Sequence, residues 1–363
     1  MKERVNTKLI AKELSLSRTT VSRVLNGKGR ISAKTRKLVL DKALQLGYFP
    51  NNAARALVLN KTYKIAVIIF SEPEFFWMQV KKGIDYASKE LFSFGLHAEV
   101  FNSKINSPEE QIKLLYQCGK SFDAIAIAPN DPHILRGPID ELTKKGIPVV
   151  TFNNDVSESK RLCYVGSNYV QCGMLAGELM SRFVSQGDIA ILDMTPNIST
   201  MSNRIQGFVC SLKDNPKIRP LFVRVRDPDR SGSNAYAAAK LLIAEKPQIS
   251  GIFVSYGVLE QVACAISDSS INRHIRLIGF DLNNQVIRYL RNGIIDAVIT
   301  QEPFVQGDLP IRILYRLLAE EVRPNYEIIK TKAEIVMQSN LECYVNEGQQ
   351  YTGLQAESMF RRY

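Results

Sequence analysis

The chain of 363 residues contains one tryptophan, three histidines and six cysteines, and each scarcity removes a class of function. His97, His133 and His274 stand far apart and share no metal-ligand spacing, so no metal site is expected. Cys118, Cys163, Cys172, Cys210, Cys264 and Cys343 are dispersed, with no C-x-x-C pair. They read as buried free thiols in a reducing cytoplasm. Long apolar runs are missing as well. Residues 65–70 (IAVIIF) have strand length and fall far short of the ~20 residues of a membrane helix, so no membrane partner is expected. The opening MKERVNTKLIAKELSLSRTT has neither an apolar core nor a cleavage signal, which speaks against a secretory leader and for a cytoplasmic chain. There is no G-x-x-x-x-G-K-[ST] loop and no G-x-G-x-x-G after a strand-like run. Paired acid and base residues of hydrolytic spacing are not visible either. No catalytic residue, no cofactor and no enzyme activity are expected.

Acidic residues are scarce in one place only. Residues 1–64 hold fifteen Lys and Arg against three acids, Glu3, Glu13 and Asp41, whereas the rest carries 32 basic and 33 acidic side chains. A strongly basic module ahead of a near-neutral body points to a polyanion, with nucleic acid first. The module also has the apolar periodicity that a flexible tail lacks. Asn6 or Thr7 can cap a helix running to Leu14, with Leu9, Ile10 and Leu14 on one face. Ser17 can cap a second helix, RTTVSRVLN, that turns Val21, Val24 and Leu25 inward and stops at Gly27. Ser32 opens a third, with Leu38, Ala43, Leu44 and Leu46 as core positions and Gly47 as its stop. Two short helices across a tight turn, braced by a third, make a helix-turn-helix.

The stretch LIAKELSLSRTTVSRVLNGKGRISAKTRKLVLDKALQLGYFPNNAARAL resembles the headpiece and hinge of the lac/galactose/purine repressor family. Its TVSRVLNG core, the S-x-x-T-R opening of helix three and the GYxPN-x-x-AR-x-L ending occur together at the family spacing. By that resemblance Arg18 and Thr19 are the principal base readers, with Thr20 and Arg23 beside them. Arginine reads guanine bidentately, and threonine can touch a thymine methyl. Thr7, Ser22 and Asn26 suit phosphate positioning.

From Lys64 onward, short apolar runs (65–70, 124–128, 148–152, 188–194, 251–255, 276–280, 296–300) are separated by amphipathic stretches such as 76–92, 133–145, 169–185, 202–213 and 233–245. This alternation implies parallel sheets covered by helices, and the number of units asks for two α/β lobes. Ligands of such folds bind at the carboxyl ends of strands, here between the lobes. The blocks AIAIAPNDP, KKGIPVVTFNND, YVGSNYVQCGMLAGELM, NRIQGF, LIGFDL and GIIDAVITQEPFVQG resemble the effector domain of the same family and the periplasmic sugar-binding proteins of ribose type. The expected architecture is a small all-α helix-turn-helix headpiece (1–50), a hinge helix (51–60), a linker (61–63), a two-lobed periplasmic-binding-protein-like domain (64–341) and a C-terminal tail (342–363).

The resemblance carries ligand contacts to Arg204 in NRIQGF, Asp281 in GFDL and Gln301 in VITQEP. These side chains suit a polyol: a carboxylate accepts from neighbouring hydroxyls, a guanidinium donates a fork, and an amide does both. Phe75, Phe76 and Trp77 stand where family aromatics flank a sugar ring, and Asn153 and Asn154 lie at the cleft edge. The match is not complete. Pro73 replaces an asparagine of the ribose type, Asn153-Asn154 an Asp-Arg pair, and Tyr256-Gly257 an Asn-Asp pair, with Tyr256 the expected ligand contact there. Ribose is therefore not the expected ligand; a neutral monosaccharide, disaccharide or polyol is. The expected function is a sequence-specific transcriptional regulator, a repressor, on a near-palindromic double-stranded operator and acting as a homodimer. Whether the ligand releases DNA, as in the lac type, or promotes binding, as in the purine type, stays open.

NNAARALVLNK (51–61) has asparagine caps and strong helix formers, yet it is shorter than the ~12–15 residues a free helix needs. The resemblance makes it a hinge that orders on DNA, with Arg55 beside the duplex and Leu57 wedged into the minor groove. Leu57→Gly is expected to weaken specific operator binding and leave ligand affinity unchanged. A gel-shift titration showing equal operator affinity would reduce the stretch to a linker.

Overall fold

The computed structural model describes residues 6–25, 31–46, 48, 62–104, 107–193, 199–213, 215–225 and 232–345, in two units. The hinge 51–60 with Arg55 and Leu57, and Asn26 in the headpiece, lie outside the described residues, as does the tail after residue 345. The smaller unit contains α1 (Thr7–Glu13), α2 (Arg18–Leu25) and α3 (Ala33–Gln45). Each begins where a short polar side chain can satisfy free backbone N–H groups. The Asn6 carboxamide oxygen accepts from the N–H of Lys8 and Leu9 (2.9 and 3.0 Å). Ser17 and Ser32 accept from Thr20 and Thr35 (3.0 and 3.1 Å). Ile10, Ala11, Val21, Val24, Val39 and Ala43 form the buried core of the three helices. The expectation for Leu38 is corrected, because it is 50% exposed. The face that packs is set by Val39 and Ala43, four residues apart, and Leu38 is turned some 100° away from Val39.

The larger unit has two lobes. In the first, β1 (Tyr63–Phe70), α4 (Glu74–Phe92), β2 (Leu96–Ser103), α5 (Pro108–Cys118), β3 (Ala124–Ile127), α6 (Pro132–Lys144), β4 (Val149–Phe152) and β5 (Cys163–Gly166) follow in sequence. In the second come α7 (Tyr169–Phe183), β6 (Gly187–Asp193), α8 (Ser199–Leu212), β7 (Ile218–Arg224), α9 (Ser233–Glu245), β8 (Ile249–Val254), α10 (Leu259–Ser267), β9 (Arg276–Phe280), α11 (Asn284–Arg291) and β10 (Ala297–Thr300). The chain then makes α12 (Pro303–Glu320), β11 (Ile328–Lys330), β12 (Glu334–Val336) and α13 (Leu341–Val345). The sheet orders are β11-β5-β4-β3-β1-β2 and β12-β10-β9-β8-β6-β7. Every pairing is parallel except that of β12 with β10.

Burial on both faces explains the unbroken apolar runs: residues 65–70 are each no more than 2% exposed. The edge strands β2 (LHAEVFNS) and β7 (IRPLFVR) are only partly covered and carry mixed sequences, so hydropathy alone does not reveal them. Three of the cysteines, Cys118, Cys163 and Cys172, are buried, but Cys210 and Cys343 are exposed and Cys264 is half-buried. The expectation of uniformly buried thiols is corrected to that extent; all six are free.

Each lobe borrows a helix from the other's stretch of sequence. α7 follows β5 yet packs into the second lobe through Cys172, Ala176 and Met180. α12 follows β10 yet packs on α4 and β1 of the first. Both exchanged helices lie very close to their neighbours, which requires glycine. A Cβ on Gly173 would stand 1.9 Å from the Arg204 carbonyl oxygen, and one on Gly207 1.9 Å from that of Val170. Gly83 and Gly307 do the same for α4 and α12, at 2.0 Å from Phe304 O and Val80 O.

Three segments connect the lobes, at residues 167–168, 301–302 and 331–333, and they are bonded to one another. The Ser167 and Thr331 hydroxyls are buried 2.7 Å apart and lie 3.3 and 3.1 Å from the Gln301 carbonyl. One hydroxyl donates to that carbonyl and the other to its partner. The Gln306 amide donates to the same oxygen at 2.8 Å.

Gly173→Ala should force α7 and α8 apart and cost about 1–3 kcal/mol of stability, the usual penalty for overpacking. Urea denaturation reads this directly, and an unchanged midpoint would show that the helices separate freely.

Candidate ligand cleft and DNA-reading face

The carboxyl ends of β1, β4, β8, β9 and β10 converge on one cavity between the lobes, enclosing about 480 Å³ with open solvent at its mouth included. Phe70, Pro73, Phe76, Trp77, Asn153 and Asn154 line it from the first lobe. Tyr169, Thr200, Met201, Arg204, Tyr256, Gly257 and Asp281 line it from the second, and Gln301 from a connecting segment.

Arg204 is only 5% exposed. Its Nη1 donates to the Ser255 carbonyl (2.9 Å), and its guanidinium carbon lies 3.8 Å from the Phe280 ring centre and 5.1 Å from that of Tyr169. A cation between two ring faces is favourably placed, the more so when shielded from water. Asp281 accepts from Gln301 Nε2 through both oxygens (2.8 and 2.9 Å). Burial raises the Asp281 pKa, and the positive charge of Arg204 and the Gln301 bond lower it in part. Tyr169 donates to the Asn153 carbonyl (2.9 Å), as does Tyr164 (2.7 Å), and burial raises the pKa of both phenols.

Among the described residues, three buried polar atoms of the cavity wall have no hydrogen-bond partner: Asn154 Oδ1, Arg204 Nε and Gln301 Oε1. Each such group costs on the order of 1–3 kcal/mol if nothing fills the site. Backbone strain collects here too. Asn153, Asp281 and Glu302 take left-handed φ values of 61°, 66° and 52°, each directly after or close behind a strand. Such residues persist where the surrounding structure holds them, and they cluster at binding sites.

Eight of the nine residues expected at the ligand line this cavity: Phe76, Trp77, Asn153, Asn154, Arg204, Tyr256, Asp281 and Gln301. Their roles differ. Phe76 and Trp77 are also core, packed edge to face against each other (5.1 Å), and the Trp77 indole donates to the Glu72 carbonyl (3.0 Å). The Asn153 amide is engaged with Gln306 Oε1 at 3.1 Å. Phe75 is the exception, because it does not line the cavity. It is half-buried at the rim, where a Cβ on Gly257 would stand 3.3 Å from its Cζ. At the start of α4 each residue turns the side chain by ~100°, so three consecutive aromatics cannot all face one cavity. Tyr169, Thr200 and Met201 are not singled out by the sequence reading. Thr200 and Met201 precede Arg204 by four and three residues on α8, a spacing that shares its face and could have revealed them.

In the smaller unit Arg18, Thr19 and Arg23 are exposed on α2, and Thr7, Thr20 and Ser22 are half-buried. Arg18 Nε donates to Thr7 Oγ1 at 3.3 Å, which fixes the first residue of α2 against the first of α1. The Thr20 hydroxyl lies 2.8 Å from that of Ser17, so it is already engaged in the cap. The Cys118 and Cys163 thiols are pushed up to about 11 and about 12 by burial, which leaves little nucleophilic thiolate. Among the described residues no helix is long and apolar enough to cross a membrane, and no cluster of metal-ligating side chains is present.

Residues 65–321 match the family described as periplasmic binding protein domain, and residues 8–51 match the bacterial regulatory proteins of the lacI family. The fold and cleft thus define a ligand-binding protein of the periplasmic-binding type. The chain belongs to that family, carried behind a lacI-family helix-turn-helix, which makes it a regulatory protein. It is 25% identical over 323 residues to catabolite control protein A of Priestia megaterium, covering 86% of this chain and 92% of that one. It is 28% identical over 288 residues to the sucrose operon repressor of Streptococcus mutans, covering 77% and 83%. The crystal structure of GanP, a glucose-galactose binding protein from Geobacillus stearothermophilus, has the same fold, with a TM-score of 0.70 at 22% identity over 77% of this chain and 99% of that one. These relatives are regulators and binding proteins, not enzymes.

The raised Asp281 pKa has a testable sign. A carboxyl whose pKa is higher folded than unfolded favours folding below its unfolded value, and that contribution is lost as pH rises through the folded value. Asp281→Asn removes this dependence. The ligand-free variant should gain thermal stability relative to the wild type as pH rises from about 4, the ordinary carboxylate range, to 7. Melting curves across that range check this; a difference that does not change with pH would refute it.

Proposed function

We propose that the chain is a cytoplasmic, homodimeric transcriptional repressor whose affinity for a near-palindromic operator is set by a sugar or polyol held between its two lobes. The observation that carries this reading is the balance of unfilled groups in the cleft. Among the described residues Asn154 Oδ1 and Gln301 Oε1 are acceptors without partners, and Asp281 is an acceptor with lone pairs to spare. Arg204 Nε is the donor among the unpartnered atoms of the wall. Such a site asks for a ligand rich in O–H donors and disfavours a second anion beside Asp281. The Phe76, Trp77 and Tyr256 rings add apolar surface for the C–H faces of a sugar.

On the DNA side Arg18 and Thr19 are the base readers, with Arg23 and Thr20 next to them. Thr7, Ser22 and Asn26 position phosphates, and Arg55 and Leu57 belong to the hinge. Homodimerisation follows from the reading of paired half-sites by paired headpieces. Ligand and operator then influence each other through the free-energy difference between two arrangements of the body, and the coupling acts equally in both directions.

Arg204→Ala should retain operator affinity within about twofold and lose the ligand's effect on it, because the variant removes the cleft's donor Nε. Operator titrations with and without sugar, alongside calorimetry of sugar binding, test both halves. Unchanged ligand affinity in this variant would remove Arg204 from the site.

A further inference from the structure

On its outer side α8 carries a stripe that lines an open groove. Ser202, Ile205, Val209, Cys210 and Lys213 follow one another at helical spacing and share one face. With Phe222 of the edge strand β7 they line a groove of about 970 Å³, open solvent included. The Phe222 ring is 62% exposed, and Cys210 beside it is exposed too, although both residue types are commonly buried. The ends of the groove are oppositely charged. Asp193 closes β6 just before α8 begins, and Lys213 follows directly after α8 ends. This helix also carries Thr200, Met201 and Arg204 to the ligand cleft.

One stretch outside the described residues, 346–363, matches this groove in pattern, polarity and reach. Its Ala356, Met359, Phe360 and Tyr363 fall at i, i+3, i+4 and i+7. Read as a helix, the stretch has one apolar face, with Glu357, Arg361 and Arg362 turned off it. Laid antiparallel to α8, it brings Glu357 toward Lys213, and Arg361 and Arg362 toward Asp193. The chain leaves α13 after β12, at the opposite edge of the sheet from β7. Five strand spacings amount to ~24 Å, and residues 346–355 reach up to ~33 Å when extended.

We propose that residues 356–363 dock as an amphipathic helix in the groove between α8 and β7 of their own chain. Met359 and Phe360 then cover Phe222 and Cys210, and the two charged ends are matched. The same helix α8 thus serves the cleft on one side and the C-terminal segment on the other.

Thiol chemistry at Cys210 tests this in the purified full-length protein. Alkylation by N-ethylmaleimide is followed residue by residue with mass spectrometry. Cys210 should react at least about tenfold more slowly in the wild type than in Phe360→Asp, because the undocked arrangement is then a minor state. Cys343, exposed and outside the groove, should react equally in both and serves as the reference. In Met359→Cys, oxidation with diamide should join residue 359 to Cys210 in a species of monomer mass. Equal Cys210 rates in the wild type and Phe360→Asp overturn the proposal, since the groove is then open or covered by something else. A link between residue 359 and Cys210 found only at dimer mass assigns the groove to a second copy's tail and overturns docking within the chain. No such link at either mass overturns it as well.

Discussion

Gln301 sits where the hinge and the ligand cleft are the same piece of chain. Its carbonyl receives the Ser167–Thr331 hydroxyl pair and the Gln306 amide, which ties all three connections between the lobes to one atom. Its side chain faces the cavity, donating to Asp281 and leaving Oε1 free. Glu302, next in the chain, is held in a left-handed conformation and accepts from the Lys332 N–H at 2.6 Å. A hydroxyl or amide arriving at Gln301 Oε1 therefore acts on the residue that fixes how the lobes are joined. Because packed interiors move between discrete arrangements and do not deform smoothly, a small shift at this point can change the whole body.

The placement of Arg204 depends on an equally local constraint. Its backbone carbonyl lies where a side chain at residue 173 would be, so α8 reaches its position only because α7 carries glycine there. Once α8 is seated, the guanidinium enters between Phe280 and Tyr169, and the Tyr169 hydroxyl is bonded to Asn153 across the cleft. The cation, the strained asparagine and the aromatic wall thus form one connected structure. Within it burial raises the Asp281 pKa, and Asn154 Oδ1, Arg204 Nε and Gln301 Oε1 have no partner among the described residues. Each such atom is a cost in stability that the folded lobes sustain.

Much was legible in the sequence because it rests on local physics. Asparagine and serine caps place the three headpiece helices within a residue or two of where the periodicity sets them. Strands buried on both faces show as unbroken apolar runs, and the basic excess of residues 1–64 locates the nucleic-acid module. Arg204, Asp281 and Gln301 stand in motifs that a family resemblance transfers by position. The edge strands β2 and β7 were not legible, because a half-covered strand needs no apolar run.

By itself the sequence determined the alternation of elements, the two-lobed class, the charged headpiece and most of the polar groups of the cleft. The tertiary structure alone decided which of three consecutive aromatics turns away from the cavity, since the phase of a helix follows from its packing. It decided likewise that Asn153 is bonded to Gln306 beside the hinge and that Thr200 and Met201 share the wall with Arg204. Such facts depend on contacts between segments as much as 153 residues apart, as Asn153 and Gln306 are, and no local pattern encodes them.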